Sequence, residues 1–457
     1  MIKLFSVYYS TRNILLVLCE VLVVAGSFLL STLYWAGPDT YIVLMYEYGL
    51  IKIAGITLCV MLLIYYFDLY EPQRIPQRWE ILFRLLLVLS VLTFVLSGVL
   101  FFFPQFELCP YALETGVVVL SVALVLWRRF YDWTSSLPIF RERVYVLGGG
   151  ERAQHIIDTL RDRRDAGIDV VIGKHSAATG EVLSDLSADL RDFYEPKVSI
   201  DRIIVAMQDR RGAMPVRELL DLRLQGVRIE DGTSFMERLS GKLSLNGLNP
   251  STFIFTDGFK IKSSQQILRR ITSMGVSFVA LTILLPFLPF IMLAVRFTSP
   301  GPIFFKQTRV GLRGRHFKLY KFRTMRLDAE AGGAVWALKN DPRVTRFGGF
   351  MRRTRIDEIP QLWNVLRGDM ALIGPRPERP EFVQWLTSEI PYYELRHLIS
   401  PGVTGWAQVR YQYGATLEET KRKLEYDLYY IKHLSMGIDL LVLFETLKTI
   451  LLRRGSQ

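Results

Sequence analysis

The chain has 457 residues, half of them hydrophobic, and carries a formal net charge of +12 at pH 7. That length leaves room for roughly three domains, and long uncharged runs at that apolar content exclude an ordinary water-soluble protein. In a soluble chain the positive charge would point to nucleic acid; beside membrane-length apolar runs it points to an anionic membrane surface and an anionic substrate, with no nucleic acid as partner. Of the three cysteines, Cys19 and Cys59 lie in apolar runs and Cys109 in a short loop, with no Cys-x-x-Cys pair. Neither a disulfide framework nor a cysteine zinc site can be argued from them. His155, His175, His316, His397 and His433 show no metal-ligand spacing and read as ordinary surface or core histidines.

Residues 1–130 predict a four-helix transmembrane domain. Apolar segments run over about 13–35, 49–67, 81–103 and 115–127. The first three have the length of a bilayer crossing, and the fourth needs its flanks to reach it. The first reads as a span and not a cleaved signal, because it is long and more spans follow. Lys3 and Arg12, Arg74 and Arg78, and Arg128 and Arg129 mark alternate connections, whereas the loops at 36–48 and 104–114 carry no Lys or Arg. By the positive-inside rule the N-terminus and everything after residue 130 lie in the cytoplasm. Glu20 and Lys52 fall within or near spans. The reading favours an interface or helix–helix contact over a functional path for both.

Residues 131–256 predict a Rossmann-like α/β domain. Val144–Leu147 reads as a buried strand, and Gly148, Gly150 and Ala153 fit the pattern G-x-G-x-x-A at the start of a helix. That spacing lets backbone approach a pyrophosphate. Further strands are expected at 170–172, 203–206 and 227–229, with a helix at 215–224. The second strand is followed by Lys174 and His175, with no acidic residue to hold a ribose. Gly148 and Gly150 are therefore candidate contacts of a degenerate nucleotide site, and a spacer, regulatory or dimer role is the other reading.

Residues 257–457 form the third part. Positions 275–295 hold no charged residue, yet Pro286 and Pro289 interrupt them and Arg269, Arg270, Arg296, Lys306 and Arg309 flank them. A helix that enters the inner leaflet, bends at Pro286 and returns fits this better than a crossing, which would carry the basic C-terminal third outside. Downstream, Arg352 to Met370 places the adjacent acids Asp357 and Glu358 in a basic field. Pro360 suits a helix start and Gly368 a helix end. The pair then sits at a helix N-terminus, where phosphate is favoured.

Lys306–Gly311, Phe317–Met325, 340–346, the acidic stretch with Gly374-Pro375-Arg376-Pro377, Pro401–Val409 and Glu425–Tyr430 follow one another in an order that closely resembles the bacterial sugar transferase family, over about residues 265–457. The whole layout is similar to that of the large members of this family, which have four spans, a Rossmann-like unit and a mainly α-helical catalytic domain with a re-entrant helix. Thr354-Arg355-Ile356, the run from Pro375 to Pro380 and the run from Arg410 to Gly414 look most like exopolysaccharide members linked to exosortase systems.

The resemblance implies an initiating reaction: a UDP-sugar donates hexose-1-phosphate to undecaprenyl phosphate at the cytoplasmic face of the bacterial inner membrane, giving undecaprenyl-diphosphate-sugar and UMP. It implies Asp357 as nucleophile, Glu358 as the Mg2+ ligand, and a homodimer. Arg352 and Arg376 match family arginines suited to phosphate. Lys321 and Arg323 fall in the Lys-Phe-Arg element that grips the donor diphosphate, and Trp406 and Gln408 in a motif placed near the donor. Two positions depart from the family. Leu285 stands where serine often precedes the kink proline, and Arg355 stands two residues before Asp357, where its charge is expected to lower that carboxylate's pKa. A membrane-bound nucleotide-sugar dehydratase or epimerase is the competing reading. It needs Tyr-x-x-x-Lys beside a working cofactor site, and that spacing occurs only at Tyr48 and Lys52, in the membrane part.

Overall fold

A computed structural model describes residues 2–4, 7–70, 78–137, 141–162, 167–171, 190, 200–207, 214–245, 248, 253, 258–298, 300–326, 329, 341–411 and 416–451. The expectations attached to Arg74, Lys174, His175, Asn340 and 412–414 lie outside the described residues. The chain divides into two compact units, residues 9–235 with 1–2, and residues 236–457 with 3–8.

The first unit opens with helices α1 (Thr11–Ala36), α2 (Thr40–Met45), α3 (Gly49–Tyr66), α4 (Arg78–Phe102) and α5 (Ala112–Ser136). Val24, Phe28, Val60, Ile64, Val88, Leu92, Leu120 and Leu124 fill the bundle core. The outer faces are apolar as well, with Leu22, Leu58, Phe94 and Val118 exposed. A helix apolar all round is a solution for hydrocarbon and not for water. Among the described residues four helical stretches are long and apolar enough to cross a membrane: Thr11–Met45, Gly49–Tyr66, Trp79–Phe102 and, in the second unit, Ser263–Thr298. α5, the fourth span expected from sequence, is not among these four. It is a full helix, but Glu114 and the pair Arg128 and Arg129 bracket its apolar middle. It lies along α1, where Ser31 Oγ donates to the Ala112 carbonyl (2.7 Å).

Glu20 of α1 is a helix–helix contact. It is fully buried, paired with Arg128 of α5 at 2.8 Å, and accepts from the Tyr70 hydroxyl at 2.5 Å. A buried charge needs such a partner. Lys52 donates to the Glu107 carbonyl (2.6 Å) in the loop before α5.

The rest of this unit is a parallel sheet of β1 (Glu142–Leu147), β2 (Ile168–Val171), β3 (Arg202–Val205) and β4 (Arg228–Asp231), in the order β2-β1-β3-β4. α6 (Glu151–Asp162) follows β1, α7 (Val216–Leu224) precedes β4, and α8 (Gly232–Ser240) leaves it. β1 and β3 are buried on both faces, as a parallel sheet flanked by helices requires. Gly148 and Gly150 lie at the C-terminal end of β1, both with positive φ (127° and 82°). A Cβ on Gly148 would stand 3.0 Å from the Met207 nitrogen, so the turn is built for close backbone packing against the end of β3.

In the second unit α9 (Ser263–Leu284) ends in one 3-10 turn (Leu285–Phe287) and resumes as α10 (Leu288–Thr298). The break falls at Pro286, where the missing N–H removes a helical bond. The buried residues of α9 are Arg269, Ser273 and Ser277, one polar stripe at four-residue spacing. Its other faces expose Ile271, Phe278, Val279 and Ile283, and the turn and α10 expose Phe287 and Phe290. Polar side inward and apolar side outward is the arrangement a bilayer stabilises. Val295, Ile291 and Met292 of α10 pack on Phe322, Met351, Ile356 and Ile359.

β5 (Phe304–Val310) and β6 (His316–Phe322) form an antiparallel hairpin. α11 (Arg346–Thr354), a 3-10 turn (Ile356–Glu358) and α12 (Gln361–Arg367) lead to β7 (Ala371–Ile373). α13 (Pro380–Glu389) and a further 3-10 segment (Tyr393–Leu398) lead to β8 (Gly402–Thr404), which pairs in parallel with β7. α14 (Trp406–Arg410), α15 (Leu417–Lys432) and α16 (Met436–Leu451) complete the unit. α15 starts in a capping box between Thr416 and Glu419.

Candidate active site

The site is assembled on the stretch that links α11 to α12. Thr345 caps α11, its Oγ1 accepting from the Gly348 N–H (2.9 Å). Gly348 approaches the end of β6 so closely that a Cβ there would stand 2.1 Å from the Thr324 carbonyl oxygen. Arg352, one turn on, donates from Nε to Thr324 Oγ1 (3.0 Å). α11 stops where Arg355 takes a left-handed conformation (φ 59°, ψ 13°). The chain then tightens into the 3-10 turn that carries Asp357 and Glu358, both buried. Pro360 stands at the N-cap of α12, and Gly368 (φ 98°) ends it, as the sequence predicts.

β6 is stitched alongside α12 by Asn364, a fully buried side chain that sequence reading did not single out. Its Nδ2 donates to the Lys318 carbonyl (2.8 Å), and its Oδ1 accepts from the Tyr320 N–H (3.1 Å). One amide thus takes two groups of the free edge of β6 and holds Lys321 beside the acidic turn. The available signal was an amide in the middle of a short helix otherwise built to pack.

Three cations converge on one carboxylate oxygen. Glu358 Oε1 lies 3.0 Å from Arg376 Nη2, 3.3 Å from Lys321 Nζ and 3.7 Å from Arg355 Nη1. Burial by itself would raise the Glu358 pKa, but Arg376, Lys321 and Arg355 outweigh it and hold the group well below the usual carboxylate range. Among the described residues Asp357 has neither a hydrogen bond nor an ion pair. Burial lifts its carboxyl above the ordinary range, the neighbouring Glu358 charge adds to the lift, and Lys321, Arg376 and Arg352 oppose it without reversing it. This corrects the expectation for Arg355: its guanidinium faces Glu358, and Asp357 is raised, not lowered. Lys321 is itself lowered by burial, although Glu358 favours its charge.

The remaining site residues fall in different places. Arg376 comes to the pair because β7 and β8 lie side by side. Glycines at 374, 402 and 405 let those backbones touch; a Cβ on Gly402 would stand 2.1 Å from the Gly374 nitrogen. Arg323 is buried at the end of β6, where burial and the charge of Arg296 in α10 lower its pKa. The Gln408 side chain hydrogen-bonds only to the Val403 carbonyl (3.4 Å) among the described residues. Trp406 is a core residue, donating from Nε1 to the Gly241 carbonyl (2.9 Å) with Arg410 over its ring (4.6 Å).

Arg269 and Arg270, expected as membrane-flanking charges, are turned into the protein. Arg270 donates to the Val365 and Leu366 carbonyls at the end of α12, the second at 3.0 Å. The Leu366 carbonyl lies in the last turn, where a helix leaves carbonyls without an intrahelical partner, and the Val365 carbonyl also accepts from the Gly368 N–H (3.1 Å).

Among the described residues no three His, Cys, Asp or Glu side chains form a metal cluster. Mg2+ commonly takes one or two carboxylates and completes its shell with substrate phosphate and water. Glu358 Oε2, which has no hydrogen bond among the described residues, and Asp357 supply that smaller donor set. The site therefore combines a free carboxylate, a caged one, and cations in a water-poor turn, which suits a diphosphate.

Residues 264–453 match the family described as bacterial sugar transferase. The chain is 32% identical over 337 residues, 71% of this chain and 72% of the relative, to a UDP-glucose:undecaprenyl-phosphate glucose-1-phosphate transferase of Escherichia coli (strain K12). It is 46% identical over 187 residues to a UDP-N-acetylgalactosamine-undecaprenyl-phosphate N-acetylgalactosaminephosphotransferase of Aeromonas hydrophila, covering 40% of this chain and 44% of that one. An exopolysaccharide production protein of Rhizobium leguminosarum bv. phaseoli is 42% identical over 193 residues, 41% of this chain and 96% of the relative.

Proposed function

The chain belongs to the bacterial sugar transferase family, and from that premise we propose that it moves a hexose-1-phosphate from a UDP-sugar to undecaprenyl phosphate, the first membrane step of exopolysaccharide or O-antigen synthesis. The observation that carries this reading is the unequal acidic pair: Asp357 free of hydrogen bonds and ion pairs among the described residues, and Glu358 held by Arg376, Lys321 and Arg355.

In the first step an Asp357 oxygen attacks the phosphorus that bears the sugar. The bond from that phosphorus to the bridging oxygen breaks, UMP leaves, and an aspartyl-phosphosugar remains. In the second step an oxygen of undecaprenyl phosphate attacks the same phosphorus, the acyl–phosphate bond breaks, and Asp357 is returned as carboxylate. Arg376, Lys321 and Arg352 bind and orient the donor diphosphate. Arg323, Gln408 and the Gly148–Gly150 loop are secondary candidates for donor or nucleotide contact. Glu358 would hold Mg2+, which neutralises diphosphate charge when bound.

Membrane placement follows the same reading. Arg269 and Ser273 of α9 and Val295 of α10 contact the same catalytic domain, which supports a helix pair that enters the cytoplasmic leaflet of the inner membrane and returns, with the site on the cytoplasmic face.

The test is to incubate the full chain with UDP-glucose, UDP-galactose or UDP-N-acetylgalactosamine, with and without undecaprenyl phosphate. The expected result is lipid-dependent turnover and, without lipid, a burst of UMP stoichiometric with enzyme. Turnover without a burst or trappable adduct would replace the covalent route by direct attack of the lipid phosphate, with Asp357 as base.

A further inference from the structure

Arg376 rides on a short loop, residues 373–377, whose carbonyls are nearly all spoken for. The Ile373 carbonyl accepts from Arg269 Nη2 (2.9 Å) and the Arg376 carbonyl from Arg396 Nη2 (3.0 Å). The Pro375 carbonyl accepts from the Gly402 N–H (2.9 Å) and the Pro377 carbonyl from Arg309 Nη1 (3.0 Å). The Gly374 N–H donates to the Thr404 carbonyl (2.8 Å), but Pro375 and Pro377 have no N–H to offer, so side-chain donors supplement the backbone bonds that hold this loop.

Arg269 and Arg396 are held alike, although they come from different elements. Arg269 Nε donates to Asp439 Oδ2 (2.7 Å), and the Tyr430 hydroxyl joins both. Arg396 Nη2 donates to Asp427 Oδ2 (2.9 Å) and Nη1 to the Tyr393 hydroxyl (2.5 Å). All four charged groups are buried. A buried ion pair contributes little net stability against an apolar replacement. What it does supply is direction, because a planar guanidinium fixed by two partners aims its remaining N–H.

We infer that Arg269 and Arg396 are positioning residues that act through Arg376, each using an aspartate-and-tyrosine anchor to hold one end of the loop that sets the Arg376–Glu358 contact. Arg269 does this from the foot of α9, and Arg270 beside it caps α12. The base of the membrane-inserted helix therefore fixes both the helix after the acidic pair and the loop of its arginine partner. The chemistry invoked rests on the proposed transferase reading; the anchoring does not.

The experiment uses the full chain in vesicles and compares Arg396→Lys, Arg269→Lys and Tyr393→Phe with the unsubstituted protein. A lysine keeps the charge and loses the fork. Misplacement of a group that orients substrate costs roughly ten- to a hundredfold, so kcat for UMP release should fall by about tenfold in the lysine variants while KM for undecaprenyl phosphate holds. Combined with Arg376→Ala, neither lysine variant should lower kcat further, since residues acting through one partner are non-additive. Additive losses would overturn the inference, as would unchanged kcat. So would a raised lipid KM that depends on anionic lipid content, which would make Arg269 a headgroup contact. Where a lysine variant fails to fold, Tyr393→Phe removes one hydroxyl and decides the matter by the same comparison. UDP affinity, read by calorimetry without turnover, should weaken in the same variants. That readout still judges the anchoring if no UDP-sugar releases UMP and the transferase reading falls.

Discussion

Asp357 and Glu358 share one 3-10 turn, yet Arg376, Lys321 and Arg355 all reach Glu358 Oε1. Removing the Glu358 charge leaves three cations facing one another in a buried turn; removing the Asp357 charge relieves a carboxylate that burial disfavours. Both Asp357→Asn and Glu358→Gln should abolish UMP release, but in denaturant melts they should separate. Glu358→Gln is expected to lose about 3 kcal/mol, and Asp357→Asn to match or exceed the parent. Equal losses would mean the cage does not distinguish the two acids. The lifted Asp357 pKa also sets a pH dependence. In the proposed mechanism the attacking form is the carboxylate, so activity should fall as pH drops through a value above the usual aspartate range. Arg352 opposes that lift, so Arg352→Gln should move the acid limb of kcat/KM to higher pH, whatever it does to the maximum. A limb that stays put would show that Asp357 is not the group titrating.

At the scale of elements, sequence and structure agree where the cause is local. Pro360, Gly368 and the Pro286 break follow from the conformations those residues allow, and they stand where the sequence puts them. The contacts of Arg269, Trp406 and Asn364 were not legible, because each depends on a partner distant in the chain. Arg269 bonds residues 104 and 170 positions away, and Trp406 one 165 away. A basic residue before an apolar run reads as a headgroup contact until its partners are known. Asn364 gives the sharpest element-level expectation. In Asn364→Leu the Lys318 carbonyl and Tyr320 N–H lose their partner, and burying such groups unpaired costs about 3 kcal/mol in total. β6 then no longer holds Lys321 at the turn. A lower melting temperature together with reduced UMP release is the expected outcome, and a drop in stability with full activity would show that Lys321 does not depend on this stitch.

For the whole molecule the instructive point is where the catalytic unit starts. The family match begins at residue 264, but the compact second unit takes in the chain from residue 236. The described residues 236–245 of the intervening segment are bonded into that unit. Glu237 accepts from Lys432 Nζ (2.7 Å) and is bonded to His433 Nε2 (2.8 Å), at the end of α15. Glu425 takes Lys242 Nζ (2.9 Å) and the Leu245 N–H (3.1 Å) on one side chain, and the Gly241 carbonyl is the acceptor for Trp406. A chain cut to 264–457 would leave the Trp406 indole N–H without its acceptor, at about 1–3 kcal/mol, and Glu425 without Lys242. It would also remove Leu243, which is buried and whose N–H donates to the Glu425 carbonyl (3.0 Å). A chain cut to 236–457 keeps all of these. Prepared in the same detergent, the longer piece should melt at the higher temperature and give the larger UMP burst, and Trp406→Phe should narrow the gap by removing one of its causes. Equal melting of the two pieces would restrict the catalytic unit to the family-matched residues and make the contacts of residues 237–245 incidental to the site.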